Sequence, residues 1–214
     1  MGKQDLLIFP CSAGKEGARL LKPLPPIFIQ NFIGRKAANK LMVTRDRVFK
    51  NGSKEIWIDR NTPPATALAL YSGTQYKVEG FKNGVAGAIR SGVHCLVISG
   101  GYGLIRAEES IHEYEAAITS TRKYWKDVIP EVLFDYVQRN QIGRIFIACS
   151  SSYANVLKRK GWQGDAKVYW CLPRLRPGEG GAMVKVPRLT GEAVVELIET
   201  GLQPSNKWKS RWPV

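Results

Sequence analysis

The sequence predicts an α/β fold, a single domain with a mostly parallel central sheet flanked by helices and a ligand site at the carboxyl edge of the strands. Three observations lead there. Short apolar runs of strand character alternate with longer stretches of helical spacing. Four of the runs, ending at Phe9, Ile98, Cys149 and Cys171, read as strands, and Cys95–Ile98 among them has the continuous apolar make-up of a strand covered on both faces. Each run passes at once into a polar loop rich in glycine, serine or charge: Ser12–Lys15, Ser99–Arg106, Ser150–Tyr153 and Arg174–Gly180. If the four strands are parallel neighbours, these loops gather on the edge where open α/β sheets bind ligands.

Asp5–Phe9 is the first strand. In the loop after it, Ser12, Gly14 and Lys15 can cradle an anion, but the GxxxxGK[ST] spacing of a phosphate-binding ATPase loop is missing. Lys22–Pro26 is a stiff, proline-rich connector. Ile27–Phe49 is expected to be helical, with Arg35, Lys36, Lys40, Arg45, Arg47 and Lys50 beside Ile33, Leu41, Met42 and Val48. Those cations either follow a nucleic-acid backbone or form a solvated outer face. Lys54–Arg60 alternates like a short strand, and Pro63-Pro64 breaks the chain before Ala65–Leu70 and the Tyr71-Ser72-Gly73 turn. Val78–Arg90 is expected to be a helix feeding the strand that ends at Ile98.

The stretch from Cys95 to Glu115 changes character fastest. After Cys95–Ile98, the segment Ser99-Gly100-Gly101-Tyr102-Gly103 offers backbone N–H groups that can approach a ligand closely, and Arg106, Glu108, Glu109, Glu113 and Glu115 follow. A cation and several acids beside a glycine turn suit sugar or phosphate binding with acid/base work. The alternative is a strand, a turn and an acidic, solvated helix start, with Glu109 and Glu113 spaced i,i+4 on its face.

Arg122–Gln138 carries Trp125, Val128, Ile129, Val132, Leu133, Tyr136 and Val137 at helical spacing, so one helix with a buried face is expected. Arg144–Cys149 is a strand, and Ser150-Ser151-Ser152-Tyr153 is expected to cap and open a helix to about Lys160. Lys167–Cys171 is a further strand, and Thr190–Glu199 a last helix capped by Thr190. From about residue 200 the chain becomes a basic and aromatic tail, KWKSRWPV, which either stacks on bases or docks on the body.

At 214 residues the chain has the length of one domain, 1–214. Its 44% hydrophobic and 23% charged residues are those of a globular protein and argue against wholesale disorder. No run approaches 18 apolar residues, and the start leads directly into a strand, so a cytoplasmic protein without a membrane partner is expected. The 32 Lys+Arg against 18 Asp+Glu give a net charge of +14, which favours a polyanion, most simply nucleic acid. Cys11, Cys95, Cys149 and Cys171 lack zinc spacing, and only His94 and His112 are present. No metal or other cofactor is therefore expected, nor a Ser-His-Asp triad. No obligate protein partner is evident.

The block Ser99–Glu115, SGGYGLIRAEESIHEYE, resembles the SGLYGLLRPLDxxxPYRLE signature of the YaaA peroxide-stress family and related small bacterial and phage proteins. Pro10-Cys11-Ser12-Ala13-Gly14-Lys15 is similar to that family's early Ser/Cys-Pro/Ser-Ala-Lys loop, Tyr71-Ser72-Gly73 to its Tyr-Thr-Gly, and Ile147–Tyr153 to its Leu-Ala-Ser-x-Glu-Tyr. These blocks span most of residues 5–160. Two departures stand out: serine replaces the acid before Tyr153, and Glu113 replaces the proline before Tyr114. The resemblance implies DNA binding in a basic cleft and a role in protecting or policing DNA, under stress or against phage.

Together these readings lead to a DNA-acting N-glycosidase, a hydrolase that flips out and removes a damaged or modified base. Glu109 or Glu113 is the expected catalytic acid, orienting water or stabilising an oxocarbenium-like sugar. Tyr71 or Tyr102 would stack the base. Cys11, Ser12, Lys15, Ser72, Gly73, Ser99, Gly101, Gly103, Arg106, Tyr114, Ser150 and Tyr153 complete the expected base, sugar and phosphate site. The alternatives are a non-enzymatic DNA-binding stress protein and a base or nucleoside transferase.

Overall fold

Successive residues of β1 (Gln4–Pro10) sort onto the two faces of a sheet: Leu6 and Ile8 join one apolar cluster, Leu7 and Phe9 the other. All four are fully buried, and removing them from water contributes on the order of 10 kcal/mol. That burial makes β1 the central strand. β4 (His94–Ser99) and β8 (Ile142–Ala148) flank it, both parallel, and β9 (Lys167–Cys171) lies parallel beyond β8. On the far side of β4, β5 (Gly103–Arg106) runs antiparallel, giving the order β5-β4-β1-β8-β9. The computed structural model describes residues 4–15, 24–158, 160–173, 175 and 178–203. Part of the 22–26 connector, Arg174, Arg176 and Pro177 of the loop after β9, and the KWKSRWPV tail lie outside the described residues.

Helices cover both faces. α1 (Arg35–Asn51), α4 (Ile118–Trp125) and α5 (Val128–Arg139) pack Leu41, Val48, Ile118, Trp125, Val132 and Leu133 against the Leu6 face. α2 (Ala67–Leu70), α3 (Phe81–Arg90) and α7 (Ala182–Glu199) pack Leu68, Phe81, Val85, Val194 and Leu197 against the Leu7 face. A single turn, α6 (Ser151–Ala154), follows β8. Among the described residues no helix is long and apolar enough to cross a membrane.

Several boundaries differ from the sequence expectation, each for a local reason. The helix expected over 27–49 is a 3-10 turn at Ile29–Phe32 followed by α1. The helix expected over 122–138 divides at Lys126–Asp127, because the ring of Pro130 would clash with the carbonyl of Lys126 in a continuous helix. The last helix begins at Ala182, eight residues before Thr190, and runs through Pro187. Thr190 is buried and donates its hydroxyl to the Val186 carbonyl at 2.9 Å, a bond to the preceding turn rather than a cap. The 54–60 strand shrinks to β2 (Trp57–Ile58), paired with β7 (Tyr114–Glu115), while β3 (Ala65–Thr66) pairs with β6 (Ser110–Ile111). After a turn at Ala107-Glu108, these two ribbons hold Ser110–Ile111 and Tyr114–Glu115 extended, so the acidic helix start does not form.

Candidate functional site

The chain leaves β1 for β4 on one side of it and later enters β8 on the other, which makes the carboxyl ends of β1 and β8 a topological switch point. A cavity of about 700 Å³ opens there.

Its first wall is the loop after β1. The Pro10 carbonyl accepts bonds from Gln75 Nε2 and the Tyr76 hydroxyl, both at 2.8 Å, while Cys11 N–H donates to the Ile98 carbonyl at 2.9 Å. Gly73 N–H donates to Ser12 Oγ at 2.9 Å, and Ser72 N–H to the Gly14 carbonyl at 2.8 Å. This lacing needs glycine at 73, since a Cβ there would overlap Ser12 Oγ. The second wall is the turn after β8. Ser150 precedes α6 but its side chain makes no capping bond, contrary to the sequence expectation, and Ser150, Ser151 and Ser152 line the cavity instead. The Tyr153 hydroxyl lies 3.3 Å from Cys11 Sγ, bridging the two walls. The third wall is apolar: Leu172, Pro173, Met183, Val186 and Pro187, with Met183 90% exposed.

Beside the first wall, Lys15 donates to the Ala13 carbonyl at 3.1 Å. Its ammonium lies 4.4 Å from the centre of the Tyr114 ring and 3.8 Å from Glu115 Oε2. Burial lowers the pKa of Lys15, while Glu115, Cys11 and Glu113 pull the other way. The Tyr114 hydroxyl is shared with Tyr71 at 2.8 Å and Ser99 at 2.7 Å. Burial raises the pKa of Tyr71, Tyr114 and Tyr153 well above the usual phenol range, so all three are neutral hydrogen-bonding groups near pH 7.

The structure thus brings together most of the residues singled out from sequence. Cys11, Ser12, Gly73, Ser150 and Tyr153 line the cavity. Ser72, Lys15, Tyr71, Tyr114 and Ser99 stand behind its first wall, and half-buried Glu113 acts on Lys15 from the segment between β6 and β7. Five others belong elsewhere. Glu109, an expected catalytic acid, is buried, pairs with Arg45 at 2.9 Å and accepts the Ile29 N–H at 3.0 Å. Arg106 is buried against Glu108 and stacks 4.1 Å above the Phe32 ring. Tyr102 is held by Phe49 and Tyr114, and its hydroxyl accepts the His112 N–H at 3.1 Å. Gly101 makes room for the Tyr114 and Phe49 rings; Gly103, at φ 74°, makes room for Trp125. The tyrosine on the cavity is Tyr153, whereas Tyr71 is fully buried.

Sequence reasoning missed Thr74, Gln75, Met183, Val186, Pro187 and Thr190. Those of α7 had one legible signal, the polar loop after β9 that leads into it, while Thr74 and Gln75 follow the Tyr71-Ser72-Gly73 turn. Among the described residues no three His, Cys, Asp or Glu side chains converge on a point that could hold a metal ion. The cavity can seat a small molecule with a hydroxyl-rich side and an apolar side. No protein-family model matches the chain, and no curated protein matches it.

Proposed function

We propose that this chain is an N-glycosidase acting on DNA, which draws a damaged or modified base into the cavity and hydrolyses its bond to the sugar. The observation that carries the reading is the cavity itself. It is about 700 Å³, within the range of small-molecule pockets, with serine hydroxyls on one side and Met183, Val186 and Pro187 on the other. That division suits a nucleotide, whose sugar and phosphate are polar and whose base is flat and partly apolar. The net charge of +14 supports a nucleic-acid substrate, and the likeness of the 99–115 block to the YaaA family supports DNA protection or anti-phage defence in the cytoplasm.

In this reading Ser12 and Ser150–Ser152 hold sugar and phosphate, and the base lies between Tyr153 and the start of α7. Glu113 takes the acid's role, since Glu109 is committed to Arg45. Water adds at C1′ of the deoxyribose, the C1′–N bond breaks, and the base leaves with a proton. Glu113, which stands beside Lys15 and not on the cavity lining, offsets from there the positive charge that develops on the sugar. A binding protein without chemistry is the second reading, favoured by the lack of a carboxylate among the described residues that line the cavity.

The test is incubation of the purified protein with duplexes carrying ordinary, oxidised or bulky phage-type bases, followed by alkali and mass analysis. A released base with a matching alkali-labile site, lost in Glu113→Gln, is the expected result. Binding without release across the panel would replace the enzyme with the binding protein.

A further inference from the structure

A second groove, of about 460 Å³, runs between α1 and α4. Lys40, Thr44 and Arg47 come from α1, Lys123 and Tyr124 from α4, and Asp127 closes one end. Lys40 is paired with Glu131, but among the described residues no carboxylate pairs with Arg47 or Lys123, nor with their exposed neighbours Lys50, Arg122 and Lys126. The Lys123 ammonium lies 5.1 Å from the centre of the Tyr124 ring, and the Tyr124 hydroxyl donates to the Asn51 carbonyl at 3.1 Å, fixing the two helices at this end.

The inward side of the last turns of α1 packs towards the cavity's first wall. Phe49, near the end of α1, packs edge-on against Tyr114 at 6.1 Å; the Tyr114 ring lies beneath the Lys15 ammonium; and Lys15 follows Gly14 in the cavity's first wall. α1, which carries one side of the groove, is therefore joined to the cavity's first wall by packed side chains. A run of unpaired cations this dense repels itself in the free protein, and a partner carrying regularly spaced negative charge relieves that repulsion.

We infer that the α1/α4 groove is the track for a DNA backbone whose target nucleotide enters the cavity. The inference rests on the nucleic-acid reading above. The part of α1 that lines the groove, Asn39 to Arg47, is about 12 Å long, which matches roughly three to four phosphates at the spacing of one strand. Arg47 and Lys123 act on the phosphates as point charges, so the groove adds affinity without reading sequence.

The experiment measures binding of the full chain to a fluorescent 20-base-pair duplex across a salt series. Arg47→Gln/Lys123→Gln is compared with Arg90→Gln/Lys167→Gln, which alters exposed cations next to the opposite, amino edge of the sheet. The groove variant is expected to lower the slope of log K against log salt by about two and to weaken binding at least tenfold, at an unchanged melting temperature. Arg47→Lys/Lys123→Arg should restore the slope, and the edge variant should leave it as in the wild type. Equal slopes in the groove and edge variants, with the wild type still binding, would overturn the track and leave the cavity reading standing. A wild-type chain that binds no duplex would overturn both.

Discussion

Arg45 and Glu109, 64 positions apart, form an ion pair at 2.9 Å between side chains that are 7% and 2% exposed. Arg45 spends its other donors on the carbonyls of Tyr102 and Leu104, at 2.8 and 2.9 Å, and so pins the β4–β5 hairpin to α1. Glu109→Gln leaves a buried guanidinium uncompensated and should destabilise the fold by about 3 kcal/mol or more. Urea denaturation reads this directly. A variant of wild-type stability that loses base release would instead return Glu109 to catalysis.

Cys11 should be the one cysteine that reacts in the native protein. It is half-buried at the cavity, whereas Cys95, Cys149 and Cys171 are buried, and burial pushes the Cys171 thiol up to about 12 and the other two higher. Iodoacetamide should add one group at Cys11 before denaturation and four in all afterwards, read by peptide mass. A nucleotide bound in the cavity should slow the native reaction.

His94 should make the fold acid-sensitive. It packs beneath Phe32, bonds Tyr136 and Gln4, and faces the Arg106 guanidinium; burial first and Arg106 second lower its pKa to about 4. Its folded pKa lies below the unfolded value near 6.5, so its contribution is complete above pH 6.5 and declines as pH falls towards 4. His94→Gln should flatten that part of the stability profile. An unchanged slope between pH 6.5 and 4 would show that His94 is not the source.

Gly101→Ala should destabilise the central hairpin by about 1–3 kcal/mol, because the new methyl would press on the rings of Tyr114 and Phe49. Gly87→Ala is the contrast: nothing lies within 4 Å of its added Cβ, and in α3 the exchange should be neutral or stabilising by up to about 1 kcal/mol. Thermal melts of the two variants should therefore move in opposite directions or differ plainly in size.

The sequence by itself determined four of the five strands of the sheet and the edge at which the cavity opens; β5 (Gly103–Arg106) lies inside the stretch read as a loop, because its pairing with β4 is supplied only by the hairpin. Runs such as Leu6–Phe9 and Ile145–Ala148 are apolar on both faces, and only a sheet covered on both sides buries them. Once these strands are parallel, the loops at Ser12 and Ser150 must meet. The tertiary structure decided which polar residues face the cavity. Glu109 and Glu113 look alike in sequence, yet a partner 64 positions away draws one into the core while the other stays beside Lys15. Arg106 is sequestered in the same way by Glu108 and Phe32, and Pro187, read as outside the last helix, became part of its cavity-facing side. Local spacing carries the period of burial, whereas the pairing of charges and the course of a helix through proline depend on neighbours that only folding supplies.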